Sequence, residues 1–412
     1  MISLFDFPER NVFLAVKDDF RKFVFQSAEE IVGGRRELAR HLGVSYSAVS
    51  EWENGYKMRI SGTEEVHHCP ICVYNNLLRL LSDPQLKDDL QASIYCYKGN
   101  GPSACIRDPI LPICDTRSVL NMVAHIFSDG CVPSDRKGPP FYCNSSEELI
   151  DEFASDLRSF GDVETRKGFN SETGVHKLFF PLVLAKILEH IYHMNFPQHR
   201  FFQPSQVWAL SNEEKGAFLR GFFDDEGYVH DSNVQICSLH EETLDMLKAL
   251  LNDFGILASR QGKYRDYVRA DGTISSVKYF DIPSKSLPAF AQSIGFTHPK
   301  KREHLAHILL RQPRGWKHPD AGKVREIILY ELANGPATAR TLSHKTLITM
   351  RNVRESYLKV LEDEGVILKF AKQKGKGGAV LWALNRMPSS CCIQTSGTLQ
   401  SDDSASQQKS SS

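Results

Sequence analysis

Between residues 113 and 310 the chain repeats itself, and this repeat restricts its possible folds more than any other feature. One copy reads LNMVAHIFSDGCV from Leu120 and, after a short polar stretch, SSEELIDEFASDLRSFGDVETRKGF from Ser145. The other reads FLRGFFDDEGYV from Phe218 and then LHEETLDMLKALLNDFGILASRQGKY from Leu239. Each copy predicts an apolar helix ending in acid-Gly, a hairpin, and a second helix that starts beside Glu-Glu and ends in Phe-Gly. Ser146 suits an N-cap with acids in the first turn, and Gly161 and Gly255 suit helix C-termini. Two strand-like runs follow each time, 163–167 with 174–180 and 256–269 with 273–282. The pattern is helix, hairpin, helix, hairpin, helix, occurring twice, which predicts an α+β domain with pseudo-twofold symmetry.

The residue before each glycine carries the chemistry. If the two apolar helices pack side by side about the pseudo-dyad, Asp129 and Glu226 meet at one spot. Paired oxygen ligands suit a hard divalent cation such as Mg²⁺. A cation bridging carboxylates and a phosphate can activate water and stabilise the leaving oxygen. Two unpaired carboxylates near helix C-termini would otherwise repel each other and the helix dipole. Acid-Gly is also an ordinary helix ending, but two copies in register with repeated flanks favour metal ligation.

These residues also carry a family resemblance. Phe218-Leu-Arg-Gly-Phe-Phe-Asp-Asp-Glu-Gly-Tyr-Val229 resembles the second-copy form of the LAGLIDADG motif, and Met122-Val-Ala-His-Ile-Phe-Ser-Asp-Gly130 resembles a diverged first copy. The resemblance covers about half the chain and implies the two-motif homing-endonuclease family: a pseudo-twofold αββαββα core that cuts double-stranded DNA. It implies Gly221 and Ala124 as the residues of close helix approach and Asp129 and Glu226 as metal ligands. Glu226 stands where Asp is commoner. Asp224 takes the place of an acid that caps the partner helix, and Phe127 replaces that acid in the first copy. The stretch Ile294-Gly-Phe-Thr-His-Pro-Lys-Lys-Arg-Glu-His-Leu305 resembles the family's basic block, with Lys301 at the position that polarises phosphate or solvent. The first half offers His199 and Arg200 instead of Lys, which implies lopsided, nicking-biased or weakened cleavage. For Lys301 the alternative is a solvated face in a Lys-Lys-Arg run.

DNA contacts are expected from the hairpins, which the family lays along the major groove. Their basic residues are Arg136, Lys137, Arg166, Lys167, Arg260, Lys263, Arg265, Arg269 and Lys278. Strand alternation turns some of these to solvent, and Tyr264 and Tyr267 suit sheet packing equally well.

The flanks add two further signatures. Residues 35–55, RRELARHLGVSYSAVSEWENG, match the helix-turn-helix of repressor-like domains. Leu38, Ala39 and Leu42 form one apolar face, Gly43 the turn, Ser45 the next cap, and Val49 and Trp52 the anchors. That leaves Tyr46, Ser47 and Ser50 for bases or phosphates; a helical hairpin without DNA is the alternative. Residues 323–384 resemble a winged helix, with Val324, Ile327, Ile328 and Leu332 as a stripe. Its recognition-like helix carries Arg351 and Arg354, and its wing carries Lys374 and Lys376. Residues 321–387 hold 12 Lys and Arg against 6 Asp and Glu, so phosphate contacts would concentrate there. A dimerisation winged helix is the alternative.

Composition restrains rather than directs. The 412 residues suit two to four domains, and 50 basic against 50 acidic side chains leave any DNA-binding charge local. Breaks at Lys98 to Pro112 and Arg311 to Pro319 suggest a helix-turn-helix domain at 1–97, a core at 113–310, a winged helix at 320–387 and a disordered Ser-rich tail at 388–412. No run is apolar enough for a membrane span, and no basic, apolar leader opens the chain. A cytoplasmic protein is expected, nucleoid-associated when on DNA and monomeric through its internal symmetry. The ten cysteines are too irregular for a disulfide scaffold. His67-His-Cys-Pro-Ile-Cys72 supplies at most three of a zinc site's four ligands, so Cys69 and Cys72 suit ordinary thiols, with zinc the alternative that Cys96 or Cys105 would complete. Two other functions compete: a transcription regulator that keeps the nuclease fold as a DNA clamp, and an intein-derived fragment. A start without splicing Cys or Ser and an end without His-Asn favour a free-standing protein.

Overall fold

Two parallel helices, Thr116–Ser128 and Asn212–Glu226, form the spine of the larger of two compact units, Met1–Arg314. In this computed structural model the described residues are 1–9, 11–55, 57–60, 63–66, 68–99, 105–133, 138–193, 209–268, 272–310, 321–372 and 379–385. The direction of the helices follows from their contacts. At the N-terminal ends Thr116 Oγ1 donates to Glu214 Oε1 at 2.6 Å, and at the C-terminal ends His125 Nδ1 lies 2.9 Å from Asp225 Oδ2. Asp115 caps the first helix by accepting from the Ser118 amide, and a Ser211–Glu214 capping box starts the second.

Both helices are buried around much of their circumference, and the second accordingly shows no simple apolar stripe. Val119 to Ile126 are all buried, Asn121 and His125 included. Gly221 permits the close approach: a Cβ there would lie 2.8 Å from the Asn121 carbonyl oxygen and 2.9 Å from Ala124 Cβ. Phe127 stacks beside Phe222, with ring centroids 5.7 Å apart.

Each helix leads into a four-stranded antiparallel sheet with the same strand order. The first sheet runs Gly130–Cys131, Phe141–Asn144, Val175–Phe179, Arg166–Asn170. The second runs Gly227–Val229, Asn233–Ser238, Ile274–Pro283, Gly262–Val268. The second helix of each repeat, Glu147–Leu157 and Glu241–Asn252, follows as the spacing predicts. Ser146 occupies its N-cap position, but its hydroxyl donates to Glu148 rather than capping the helix.

The expected break between residues 97 and 113 is replaced by a sheet. Its strands are Cys69–Pro70, Phe13–Val16, Ile94–Lys98, Cys105–Arg107 and Asp162–Val163 in spatial order. The last of these comes from the first repeat, so the N-terminal segment is hydrogen-bonded into the core. Ile2 also exchanges backbone hydrogen bonds with Ile113, and one apolar cluster runs from Ile2 to Ile308. Pro109 follows strand Cys105–Arg107, and Pro112 precedes Ile113, which bridges to Ile2. One expected strand, 163–167, is accordingly divided: Val163 joins this sheet and Arg166 begins a strand of the other.

Within this unit Arg35–Leu42 and Tyr46–Asn54 are successive helices joined at Gly43, which has φ +67°. Ser45 accepts from the Ala48 amide at 3.1 Å, as expected of a cap. Leu38, Ala39 and Val49 are buried beneath them.

The second unit, Gly315–Ser412, has its own core of Val324, Ile328, Leu332, Leu342, Leu358, Leu361 and Trp382 among others. Helices Ala321–Ala333 and Ala339–Thr346 precede a helical run of Met350–Asn352, a π-helical Val353–Leu358 and Lys359–Asp363. Strands Ile367–Lys372 and Val380–Leu384 then pair, and Ala337–Thr338 adds a third strand beside Val380–Leu384. Thr338 and Thr349 cap their helices through side-chain oxygens.

The helix contact at Gly221 gives a direct test. Gly221→Val places three carbons where the Asn121 carbonyl and Ala124 sit, and overpacking of this kind costs about 1–3 kcal/mol. The unfolding transition of the larger unit should fall by several degrees in calorimetry, with the second unit's transition unchanged. Equal transitions in both proteins would show that the helices do not meet at Gly221.

Candidate functional site

The parallel packing brings the C-termini of both spine helices to one place, where Asp129, Asp224, Asp225, Glu226, His125 and Lys301 gather. Asp129 is the C-cap of the first helix and Glu226 the last residue of the second. The glycine after each acid is required by space, because a Cβ on Gly130 or Gly227 would lie 2.4 Å from the carbonyl oxygen four residues earlier.

Asp129 is half-buried, and desolvation followed by repulsion from Asp225 raises its pKa from an ordinary 3.8 to about 7. Glu226 is open to solvent, yet the protein around it still desolvates the carboxyl. Together with repulsion from Asp129 and then Asp225, this raises its pKa from 4.5 to about 8. The Glu226 carboxyl is thus reachable from solvent while surrounded by other protein groups. Two such groups repelling each other are relieved when a divalent cation binds between them, so the donor set fits Mg²⁺ or a similar ion.

Asp225 was not singled out in the sequence, and it is the most enclosed acid here. Its side chain is fully buried, as is that of its partner His125. Oδ2 faces His125 Nδ1, while Oδ1 accepts from the Tyr142 hydroxyl at 2.7 Å and the Asn144 amide at 3.0 Å. With both oxygens occupied, Asp225 is not a third metal ligand. Consistently, no group of three or more His, Cys, Asp or Glu residues that could hold a metal occurs among the described residues. Burial alone would lower the His125 pKa, but the charge and hydrogen bond of Asp225 outweigh it and raise it to about 9. The imidazole is therefore a cation at neutral pH. A histidine inside an otherwise apolar helix was the one visible signal for this pair.

Asp224 caps a helix, but not the neighbouring spine helix. It accepts from the Thr297 and His298 amides at 3.0 and 2.9 Å, at the start of helix Pro299–Leu310. The spine helices are parallel, so the far helix begins about 20 Å away at 1.5 Å per residue. This cap positions Lys301, whose Nζ donates to the carbonyl oxygens of Phe223, Asp224 and Asp225 at 3.3, 2.5 and 3.1 Å. The ammonium thus closes the C-terminus of the second spine helix. Its pKa is lowered by burial against the opposing pull of Asp224, Asp225, Asp129 and Glu226. His199 and Arg200 lie outside the described residues.

The expected DNA-contacting side chains are spread over the sheets and helices. Arg166 and Arg260 are exposed, and Arg166 lies over the Phe179 ring at 4.6 Å. Lys167 pairs with Asp151, Lys263 with Asp266 at 2.8 Å, and Lys278 with Glu241 at 3.7 Å. Surface pairs of this kind are weak. Arg265 lies on strand Gly262–Val268. Arg136, Lys137, Arg269, Lys374 and Lys376 lie outside the described residues, as do the side chains of Arg265, Tyr264 and Tyr267. Tyr46 and Ser47 are exposed, and Ser50 is partly engaged by Asn54. Arg351 pairs with Glu355 at 3.0 Å, and Arg354 is exposed.

Cys69 is buried, and desolvation followed by Cys72 raises its thiol pKa, which favours the neutral form. Cys96 lies 3.5 Å from His68 Nε2 and beside Cys105. His67 lies outside the described residues.

Residues 213–295 match the family model of the LAGLIDADG-like domain. Two curated archaeal proteins share 26% identity with this chain. One is glutamine–fructose-6-phosphate aminotransferase (isomerizing) of Methanocaldococcus jannaschii, over 212 residues, 48% of this chain and 18% of that protein. The other is a subunit of the A-type ATP synthase of Methanopyrus kandleri, over 196 residues, 47% of this chain and 17% of that protein. The chain thus spans under a fifth of the length of these relatives. Among solved structures, a variant of the homing endonuclease I-DmoI is similar with a TM-score of 0.32 and 13% identity, covering 43% of this chain and 95% of that one. Full-length DUF199/WhiA from Thermatoga maritima is similar with a TM-score of 0.35 and 15% identity, covering 61% of this chain and 93% of that one.

The site has a pH signature. Raised carboxyl pKa values mean that the folded state holds protons which the unfolded chain has released. The penalty is absent below about pH 4 and complete above pH 7 for Asp129 and pH 8 for Glu226. For His125 a raised pKa gives stability that is full below 6.5 and lost as pH rises through 9. All three slopes have the same sign. In chelator, the melting temperature of the larger unit should therefore decline between pH 5 and 9. Asp129→Asn and Glu226→Gln should each raise it at pH 8 and lose the stabilisation that Mg²⁺ gives the unaltered protein. A lower melting temperature for both variants at pH 8 would contradict a strained acid pair.

Proposed function

We propose that this protein is a site-specific double-stranded DNA endonuclease that hydrolyses phosphodiester bonds with a divalent cation, Mg²⁺ or a similar ion. The observation that carries this reading is the convergence of Asp129 and Glu226 at the ends of two parallel helices, where the charge of Asp129 acts on Glu226. A bound cation would supply Lewis-acid stabilisation of phosphate charge and an activated water. The chain's own residues do the rest. Asp129 and Glu226 hold the cation, the helix contact at Gly221 keeps them together, and Lys301 balances the acids. Lys301 could also polarise the phosphate after exchanging one of its carbonyl contacts. One chain supplies both acids, so a monomer suffices.

For DNA capture we assign the hairpin bases Arg166, Lys167, Arg260, Lys263, Arg265 and Lys278 to phosphates. The carboxylate partners of Lys167, Lys263 and Lys278 are surface groups that phosphate would displace. The helix pair ending in Tyr46–Asn54 supports a helix-turn-helix, with exposed Tyr46 and Ser47 at the N-terminus of its second helix. The order of elements in the second unit supports a winged helix, with Arg351 and Arg354 on its third helical run.

One observation favours a second reading, a DNA-binding regulator that keeps the fold without cutting. The three N–H donors of Lys301 all meet backbone carbonyls, which leaves no donor for substrate unless that cap opens.

A random duplex library incubated with full-length protein and Mg²⁺ should yield cut sites. Asp129→Asn and Glu226→Gln should reduce cutting at least about 100-fold (~2.7 kcal/mol in the barrier) while retention on filters stays within a few-fold. Sequence-selective retention without cutting by the unaltered protein would replace the nuclease with the regulator.

A further inference from the structure

The two acids end equivalent helices, but their neighbours differ, and the strand registers show which residues correspond. Gly130 pairs with Tyr142 as Gly227 pairs with Ile236, so Tyr142 matches Ile236 and Asn144 matches Ser238. A shared turn confirms the second match: Asn144 Oδ1 accepts from the Ser146 amide at 3.0 Å, and Ser238 Oγ accepts from the His240 amide at 3.1 Å. Along the helices His125 matches Phe222, and Ser128 matches Asp225.

These differences surround Asp129. With its Oδ1 fixed by Ser146, the Asn144 amide has a set orientation and directs both donors at acids. It donates to Asp129 Oδ2 at 3.3 Å and to Asp225 Oδ1 at 3.0 Å. Asp225 is locked in turn by the Tyr142 hydroxyl and by His125, whose ring packs on Tyr142 at 4.9 Å and on Phe153 at 6.2 Å. The chain His125–Asp225–Asn144–Asp129 therefore fixes one carboxylate through side chains that are themselves held. In the second half, Phe222 and Ile236 have no polar atoms in their side chains, and a serine at 238 has no amide to offer Glu226. Glu226 has one more rotatable bond than Asp129, and ordering it on a cation costs conformational entropy that Asp129 has already lost.

We propose that Asn144, held by Asp225, Tyr142 and His125, is a positioning residue for Asp129 that organises one of two unequal metal half-sites. The consequence is unequal cutting of the two DNA strands. This inference rests on the nuclease reading only for that consequence, since cation capture by Asp129 is measurable without DNA.

Asn144→Ser gives the first half the residue of the second, and a double exchange dismantles the support behind it: His125→Phe gives the first helix the second's residue, and Asp225→Ser gives the second helix the first's. Asn144 is half-buried and the exchange is neutral for neutral, so Asn144→Ser leaves the site's charge unchanged. Mn²⁺ binding to the full chain is titrated by electron paramagnetic resonance, with near-ultraviolet circular dichroism monitoring the fold. Loss of such supporting contacts weakens metal binding about 10- to 100-fold, and the same loss is expected for Asn144→Ser. On a cleaved duplex labelled separately on each strand, the unaltered protein should cut one strand faster. Asn144→Ser should slow that strand, and saturating Mn²⁺ should restore it. Unchanged Mn²⁺ affinity in folded Asn144→Ser protein overturns the proposal, as does equal cutting of both strands by the unaltered protein. Mn²⁺ binding that depends on Asn144 without any cleavage keeps the positioning role and removes the nuclease. If the double exchange does not fold, Asn144→Ser decides alone.

Discussion

The close contact of two parallel helices at Gly221 and Ala124 determines the rest of the larger unit. Helices that touch backbone to backbone fix where their ends lie, so Asp129 and Glu226 are brought to one place by packing and not by attraction. The same contact carries each sheet away from the helix ends on its own side. A side chain at Gly221 would part the helices and separate the acids. The small residue at this contact thus sets both the packing of the helices and the convergence of the acids.

Gathering four carboxylates at one place is unfavourable, and the surroundings show how it is offset. Lys301 and His125 are the two cations, and each is held within a fixed frame. Asp224 caps the helix that carries Lys301, while Asp225 faces His125 inside the helix interface. Each of these acids thus holds the cation, or the helix bearing the cation, that offsets it. A buried ion pair such as His125–Asp225 adds little net stability by itself, but removing one partner would strand the other charge. What remains is the outer pair, Asp129 and Glu226, whose pKa values are raised by desolvation and by neighbouring acids, and neither of which pairs directly with a cation in the way Asp225 faces His125. That division separates structural acids from available ones within a single run, Asp224-Asp225-Glu226.

Much of this was legible in the sequence because it rests on local pattern. The two spine helices, the acid-Gly endings and the second helices follow from periodicity and turn chemistry repeated in register, while the expected strand 163–167 is split between two sheets. The Gly43 turn and Ser45 cap were readable for the same reason. The expected boundary near residue 100 failed because a sheet can accept short strands from distant parts of the chain. Nothing in Cys105–Arg107 or Asp162–Val163 states that they pair. The direction of the Asp224 cap failed similarly, since it depends on which helix N-terminus the fold brings near. Asp225 was hidden within an acid run whose members look alike until their neighbours are known.

The sequence by itself therefore determined the repeat, the helices and the two acids that end them, because a side chain's place on a helix follows from spacing alone. It also supplied the small residues that allow close approach. Only the tertiary structure decided which acids are free and which are held. That depends on Tyr142, Asn144, Thr297 and Lys301, which lie from 15 to 83 residues away from the acidic residues they contact. It further decided that the surroundings of the two acids differ, because pseudo-symmetric backbones place Asn144 and Ser238 alike, while the longer amide of Asn144 donates to Asp129 and the Ser238 hydroxyl accepts from the His240 amide.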